Sequence, residues 1–298
     1  MGNTVELFLN SKAAAGRSTR TLDWYAEQLD HAIACLGADL LLVDAEHIEL
    51  FFVTERLRNL APATIHARYR ALKVFYNWCV SRGYLSASPI DKVEKPALPH
   101  KRPNRATLAE YELLLDSIPT NATWLDSRDR CILRILFFSG LRLSECARLR
   151  VSDLDVNGRR IMIRAGKGAK DRTVPFAADC AADLLEYLYT RPTWRGPELW
   201  LKSDGYHGLA GALAPEGIRQ ILRRRCIRAG CRILNPHSFR HGFAMTLLNV
   251  GHAEMSAISR MLGHSKTQVT EAVYAQWNDD GLSDEYEAAL LRIWGKKK

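Results

Sequence analysis

The sequence predicts a mainly α-helical protein with a small β-sheet, divided into two domains. Apolar residues recur at spacings of three and four along much of the chain, which is typical of amphipathic helices. Two short β-prone runs flank one glycine-containing loop, which indicates a hairpin. The length of 298 residues suits two domains better than one.

The first domain is predicted over residues 1–88 as a bundle of helices. Apolar residues at positions 21–33 have helical spacing, and a second helical run over 62–78 begins with a proline and ends ahead of Gly83. This second run mixes basic and aromatic side chains. Its basic residues favour either a solvated surface or a contact with DNA. They are Arg68, Arg70 and Lys73.

The segment 89–103 is predicted to be an extended linker. Four prolines fall within residues 86–103. Proline lacks a backbone N–H donor and restricts the residue before it, so regular structure is not expected to persist there. The second domain is therefore predicted over 104–298.

The elements of the second domain follow in order. The run 131–138 is apolar nearly all round, which predicts a buried helix that stops at Gly140. Another helix is expected to begin at Ser144. Residues 159–164 and 172–176 are predicted strands on either side of a hairpin loop. The remaining predicted helices begin near Pro215 and Pro236, and cover 253–262, 266–277 and 283–294.

The composition favours a soluble protein of the cytoplasm. No apolar run approaches the roughly 20 residues that a membrane-spanning helix needs, and the first residues do not resemble a secretory signal. Seven cysteines without a C-x-x-C pair suit a reducing compartment.

Positive charge is concentrated in the second domain. The net charge is +9, and residues 1–100 carry as many acidic as basic side chains, so the whole excess lies in residues 101–298. A polyanionic partner is therefore expected. Nucleic acid leads the alternatives, which include ribosomal and acidic-ligand partners.

One arginine and one lysine lie at positions where their charge suggests either a structural partner or a functional role. Arg142 follows the predicted buried helix, so it should either bind a phosphate or pair with Glu145 or Asp153. Lys167 lies between two glycines at the predicted hairpin tip, where it is either solvated or able to approach a phosphate closely.

An imidazole and a guanidinium are expected on one face of the helix that begins at Pro236. His237 and Arg240 are three residues apart, and His241 follows His237 at the spacing of a zinc-binding pair. No glutamate completes the H-E-x-x-H pattern, and no third ligand is spaced nearby, so a zinc site is not predicted.

Two further residues complete a set that could cut and rejoin a phosphodiester. His264 follows Gly263, and Tyr274 comes ten residues later. Strand transfer needs an oxygen nucleophile, cations for the pentacoordinate phosphorane and a proton donor for the leaving hydroxyl. Taken singly, each residue has an ordinary structural explanation, but all these groups occur here in one order along one domain.

The sequence G-L-R-L-S-E, then G-K-G, H-x-x-R-H, L-G-H-S and a tyrosine, resembles the tyrosine recombinases of the phage integrase family. The resemblance spans nearly the whole chain and implies a helical, SAM-like core-binding domain joined to a mixed α/β catalytic domain. It implies site-specific cutting and rejoining of DNA through a 3′-phosphotyrosyl intermediate and a Holliday junction, without a metal or other cofactor. The implied roles are two phosphate-clamping arginines, a general-acid lysine, two histidines for proton transfer and phosphate binding, a nucleophilic tyrosine and a supporting glutamate: Arg142 and Arg240, Lys167, His237 and His264, Tyr274, and Glu145.

The resemblance also implies particular partners. These are double-stranded DNA at recombination core sites and a homotetramer on two DNA sites, with room for accessory proteins and no membrane. The predicted helix over 283–294 would dock on a neighbouring protomer or pack on its own domain. A monomeric topoisomerase and a non-catalytic DNA-binding regulator are the other functions considered, and integration, excision and resolution all stay open.

Overall fold

The computed structural model describes residues 3–37, 39–99, 104–119, 123–164, 171–193, 196–204, 209–249 and 254–263. The chain divides into two units, Met1–Lys101 and Arg102–Lys298. Helices dominate both, and all the strands that the structure describes belong to the second unit. The predicted class, mainly α with a small β-sheet, is confirmed. The helices predicted over 266–277 and 283–294 lie outside the described residues.

The described residues of the first unit form four α-helices around one apolar core. They are α1 (Asn3–Ala14), α2 (Thr19–Leu36), α3 (Ala45–Leu57) and α4 (Pro62–Ser81). The Ser18 side chain accepts a hydrogen bond from the Thr21 backbone N–H and so caps the start of α2. Pro62 occupies the first turn of α4, where its missing N–H costs nothing. The fully buried side chains of this core include Phe8, Leu29, Ile48, Phe75 and Tyr76.

The first part of the predicted linker belongs to this core. Residues Pro89–Lys92 form a 3-10 turn, and Ile90 and Val93 are buried among the helices of the first unit. Proline fits the first position of such a turn, and two apolar side chains gain more from burial than from an extended, solvated path. The fold of the first unit therefore continues past the expected boundary at residue 88.

The second unit is built around one central helix, α6 (Trp124–Ser139), which packs against α8 (Ala178–Thr190) and α10 (Pro236–Asn249). As predicted, the 131–138 run is buried on nearly all sides. The other helices are α5 (Leu108–Asp116), α7 (Leu143–Ala147), α9 (Pro215–Arg228) and α11 (Met255–Leu262). Among the described residues of both units, no helix combines the length and apolar character needed to cross a membrane.

Two small antiparallel sheets lie in the second unit. The first has the order β1 (Leu154–Asp155), β2 (Arg160–Ile163) and β3 (Arg172–Pro175), close to the two predicted strands. Ile161 lies opposite Val174, and both face the core. The second sheet pairs β4 (Leu201–Ser203) with β5 (Leu209–Ala212) and was not predicted.

A buried ion-pair network fixes α9 to α6. Asp129 on α6 accepts hydrogen bonds from Arg225 Nε at 3.0 Å and from Arg128 Nη2 at 2.7 Å. Arg225 Nη2 also lies 2.5 Å from Asp126 Oδ1. Arg128, Asp129 and Arg225 are all buried, so each of these charges depends on its partners for the solvation it has lost.

Replacing Asp129 should therefore destabilise the second unit strongly. Asp129→Ala leaves two buried guanidinium groups without their shared carboxylate, and the free energy of unfolding should fall by about 3–5 kcal/mol. Urea unfolding followed by circular dichroism measures this change. The control is Glu216→Ala, which removes an exposed partner of Arg219 on the same helix α9 and should leave the unfolding midpoint unchanged. Equal midpoints for the two variants would contradict a stabilising role for the network.

Candidate active site

Four of the predicted site residues lie close together in the second unit. Arg142, Glu145, His237 and Arg240 come from α7 and α10, which lie near the C-terminal end of α11. Hydrogen bonds and charge interactions connect them. Lys167, His264 and Tyr274 lie outside the described residues, although Gly263, the neighbour of His264, is part of the cluster.

A glycine turn places Arg142 at the site. Helix α6 ends at Gly140, whose φ of 60° is the left-handed conformation that favours glycine. A Cβ atom there would also come within 2.4 Å of the Phe243 ring and 2.9 Å of Leu262. The chain can turn sharply at this point only with glycine, and Arg142 then becomes the N-cap residue of α7.

Glu145 holds Arg142 through both backbone and side chain. Glu145 Oε2 accepts a hydrogen bond from the Arg142 backbone N at 2.8 Å, and Oε1 accepts one from Arg142 Nη1 at 3.0 Å. The Arg142 side chain nevertheless remains 44% exposed. The ion pair that the sequence offered as one explanation of Arg142 is thus present, and the guanidinium still faces solvent.

A second arginine, which the sequence analysis missed, binds the same carboxylate. Arg172, the first residue of β3, donates from Nη1 to Glu145 Oε1 at 3.0 Å and from Nη2 to Oε2 at 2.8 Å. Burial alone would raise the pKa of Glu145, but the hydrogen bonds from Arg172 and Arg142 outweigh it and lower the pKa to about 2. Glu145 is therefore a carboxylate throughout the physiological range.

Arg240 is held more tightly than Arg142. It is buried on α10, and its guanidinium donates from Nη1 to the Gly140 carbonyl and from Nη2 to the Leu262 carbonyl, both at 2.7 Å. Helix α10 begins at Pro236, and the Asn235 side chain accepts a hydrogen bond from the Ser238 backbone N at 2.9 Å. This cap fixes the start of the helix that carries Arg240.

The C-terminal end of α11 binds all three arginines. The last carbonyls of a helix have no partner within the helix and carry its partial negative charge. Here three consecutive carbonyls accept hydrogen bonds from three different guanidinium groups. The bonds are Arg172 Nε to Met261 O at 2.9 Å, Arg240 Nη2 to Leu262 O at 2.7 Å and Arg142 Nη2 to Gly263 O at 3.4 Å.

His237 lies one turn before Arg240 on α10 with an exposed side chain. Its pKa is lowered from the usual 6.5 by partial desolvation first, and then by the positive charges of Arg240 and Arg142. The ring is therefore neutral at pH 7 and can exchange a proton. The rings of His237 and His241 meet edge to face at 4.7 Å. Within the described part of the chain, no third metal-ligating side chain joins this pair.

The basic residues of α4 differ from one another in their surroundings. Arg68 contacts the buried carboxylate of Glu55, which favours a structural role for this residue over a contact with DNA. Lys73 Nζ lies 3.5 Å from Asp91 and above the Tyr69 ring. Arg70 is exposed at the helix surface.

Glu55 also belongs to a group with the composition of a metal site. Ligand atoms of His31, Cys35 and Glu55 lie within 4.8 Å of one another. Two arginines face the same group, because Arg68 contacts Glu55 and Arg58 Nη1 lies 3.3 Å from Glu55 Oε1 and 3.4 Å from Cys35 Sγ. Their positive charges neutralise the carboxylate and oppose a bound cation, so the group acts as an ion-pair cluster around the buried Glu55 carboxylate.

Helix α9 adds positive charge to the surface of the second unit. Its exposed face carries arginines at helical spacing, in addition to the buried Arg225. The sequence pattern predicts the helix but not this face. The exposed residues are Arg219, Arg223, Arg224 and Arg228.

Comparison with known proteins assigns the chain to a family. Residues 104–280 match the model of the phage integrase family. The chain is also 31% identical over 279 residues to the tyrosine recombinase XerC of Xanthomonas axonopodis pv. citri (strain 306). This alignment covers 92% of this chain and 88% of that protein. The chain belongs to the phage integrase family. It is a tyrosine recombinase, an enzyme that cleaves and rejoins DNA strands.

Solved recombinases share its fold. The XerH site-specific recombinase bound to a palindromic difH substrate matches with a TM-score of 0.72 at 23% identity, over 96% of this chain and 83% of that one. A lambda integrase fragment, solved as a dimer bound to a COC′ core site, matches with a TM-score of 0.71 at 14% identity. The match covers 90% of this chain and 96% of that one.

The low pKa of Glu145 predicts a specific loss of stability in acid. A folded-state pKa of about 2 against the usual 4.5 stabilises the recombinase above pH 4.5, and this contribution declines as the pH falls towards 2. Glu145→Gln should therefore lower the free energy of unfolding by about 3 kcal/mol at pH 7 and by clearly less near pH 3. Urea unfolding at a series of pH values measures the difference. Glu112→Gln, at an exposed position of α5, controls for the loss of one charge. A difference that stays constant with pH would contradict the assignment.

Proposed function

We propose that this recombinase acts at specific core sites on double-stranded DNA, through a 3′-phosphotyrosyl intermediate and a Holliday junction, with Tyr274 as the nucleophile. The observation that carries the proposal is the paired arrangement of Arg142 and Arg240. Both are bound to carbonyls at one helix end, and Arg142 is turned to solvent. Such a pair suits the two non-bridging oxygens of one scissile phosphate.

The two arginines stabilise the charge of the transition state. A guanidinium donates parallel hydrogen bonds in a planar fork that matches phosphate oxygens. Because the protein already holds both groups, little reorganisation is needed when negative charge accumulates on the phosphorane. Arg240 is fixed by two carbonyls, while Arg142 presents its remaining N–H groups at the surface.

Proton transfer is assigned to the lysine and the two histidines. Lys167 protonates the leaving 5′-oxygen, and His237 and His264 assist proton transfer and phosphate binding. The lowered pKa of His237 supports this role, because a neutral imidazole can accept a proton from the tyrosine hydroxyl. The phosphotyrosine ester then retains the energy of the broken phosphodiester, and a 5′-hydroxyl can attack it to rejoin the strands.

The proposed assembly is a homotetramer on two core sites. The dimer of lambda integrase on a core site supports a protomer pair on each DNA site. The net charge of +9 and the exposed arginines of α9 support a large contact with the DNA backbone. The DNA substrate, together with seven unpaired cysteines, supports work in the cytoplasm, where accessory proteins could join the complex.

Tyr274→Phe should abolish covalent attachment to DNA and leave DNA binding intact, because it removes only the attacking oxygen. The purified variant is incubated with a nicked suicide duplex, and the products are separated on a denaturing gel. A gel-shift assay with the same duplex confirms binding. Tyr286→Phe is the matched control and should form the adduct normally. A covalent band that persists in Tyr274→Phe and disappears in Tyr286→Phe would move the nucleophile to Tyr286.

Sulphur substitution of the leaving group should separate the general acid from the phosphate clamp. Lys167→Ala should cleave ordinary DNA about 10²–10⁴-fold more slowly, the usual range for loss of a general acid. A 5′-bridging sulphur leaves without a proton, so cleavage by Lys167→Ala should recover on that substrate. Arg142→Ala should stay slow, because the phosphorane charge still lacks its clamp. Rescue of Arg142→Ala without rescue of Lys167→Ala would show that the two roles are wrongly assigned.

A further inference from the structure

Arg172 belongs to the arginine cluster, but its guanidinium is taken up by contacts within the protein. Both of its terminal nitrogens bind the Glu145 carboxylate, and its Nε binds the Met261 carbonyl. Its side chain is 14% exposed, against 44% for Arg142. All three nitrogens of this guanidinium are therefore engaged by the protein, which makes Arg172 a poor candidate for a phosphate ligand.

The charge balance around Glu145 explains why a second arginine is needed. Arg142 and Glu145 alone would form a neutral pair, and a neutral pair attracts a phosphate weakly. With Arg172 the group of three carries a net charge of +1. Because Arg172 binds both carboxylate oxygens, the surplus positive charge falls on Arg142, the more exposed of the two arginines.

The surrounding backbone is shaped around Arg172. A Cβ atom on Gly263 would lie 2.9 Å from the Arg172 guanidinium, so the glycine leaves the space that this side chain fills. The same guanidinium joins the start of β3 to the end of α11. Arg172 thus holds Glu145 and the carbonyl end that also receives Arg240 and Arg142.

We propose that Arg172 is a positioning residue that neutralises Glu145 and so keeps the positive charge of Arg142 available to the scissile phosphate. This inference rests on the proposed phosphate-clamping role of Arg142. Arg172 touches neither the DNA nor the reacting atoms and acts through Glu145. A purely structural Arg172 would stabilise the fold without setting the charge that Arg142 presents.

Charge restoration in a double variant tests the proposal. Full-length Arg172→Met should cleave a suicide duplex about 10²–10³-fold more slowly in single turnovers at saturating protein, the range for loss of one electrostatic stabiliser. In Arg172→Met combined with Glu145→Gln, the neutral glutamine leaves Arg142 with its full charge, and cleavage should recover at least about tenfold. If Arg172 serves only the fold, the second substitution removes more hydrogen bonds and cleavage stays equally slow or falls further.

A second substrate makes the readout independent of folding yield. Replacing a non-bridging oxygen of the scissile phosphate by a methyl group removes the negative charge that Arg142 neutralises. Arg172→Met should cleave this methylphosphonate duplex within a few-fold of the unaltered protein, as Arg142→Ala should. Arg172→Lys keeps the charge balance and should fall between Arg172→Met and the unaltered protein on ordinary DNA, which provides a measurable variant if Arg172→Met does not fold.

The controls separate the two proposals. Arg232→Met removes an arginine of the same unit that binds Glu110 with two nitrogens, and it should cleave both substrates normally. Slow cleavage of the methylphosphonate by Arg172→Met, or no recovery in the double variant, would overturn the positioning role. If Arg142→Ala itself cleaves ordinary DNA at the normal rate, the proposed function of Arg142 fails instead, whatever Arg172 does.

Discussion

Mutual repulsion among three guanidinium groups is the constraint on which the site depends. Arg142, Arg172 and Arg240 all donate to carbonyls of one helix end, so their positive charges are close together before any phosphate arrives. Two sources of negative charge compensate for this. One is the Glu145 carboxylate, and the other is the row of carbonyls at the C-terminal end of α11, which carry the negative end of the helix dipole. Without both, gathering these charges in a partly buried place would cost several kcal/mol.

The arrangement of the three arginines depends on the buried helix α6 and on two glycines at which the backbone packs closely against neighbouring residues. Helix α6 is buried on nearly all sides, so the residues after it are confined, and Gly140 turns the chain where no Cβ would fit against Phe243. Gly242 on α10 allows a second approach, because a Cβ there would come within 2.3 Å of the Ala106 carbonyl. Since α10 carries both His237 and Arg240, the distance between Arg142 and Arg240 is set by packing around α6 and not by local structure alone.

Features that depend on neighbouring residues in the sequence could be predicted from it. Contacts between residues that are far apart in the sequence could not. Helix α6, the hairpin strands and the cluster around Arg142 follow from apolar periodicity and from motifs of adjacent residues. Arg172 was missed because its partners lie 27 and 89 residues away in the sequence. The same limit applies to Arg68, since helical spacing within α4 does not reveal a carboxylate on α3. Strands β4 and β5 were missed because they lack β-branched residues. The burial of Ile90 and Val93 was missed because they lie in a proline-rich segment.

Arg142 and Arg240, the two arginines proposed to bind the scissile phosphate, are held to different degrees, and this difference suits a reaction that runs in both directions. Arg240 is buried with two carbonyl partners at 2.7 Å, so the protein itself fixes its position. Arg142 is tied to Glu145 at one nitrogen and to the Gly263 carbonyl at a longer 3.4 Å. In the proposed role of Arg142, a bound phosphate therefore draws its guanidinium away from the Gly263 carbonyl at small cost. In the proposed mechanism, cleavage and rejoining then use the same fixed group and the same adjustable group.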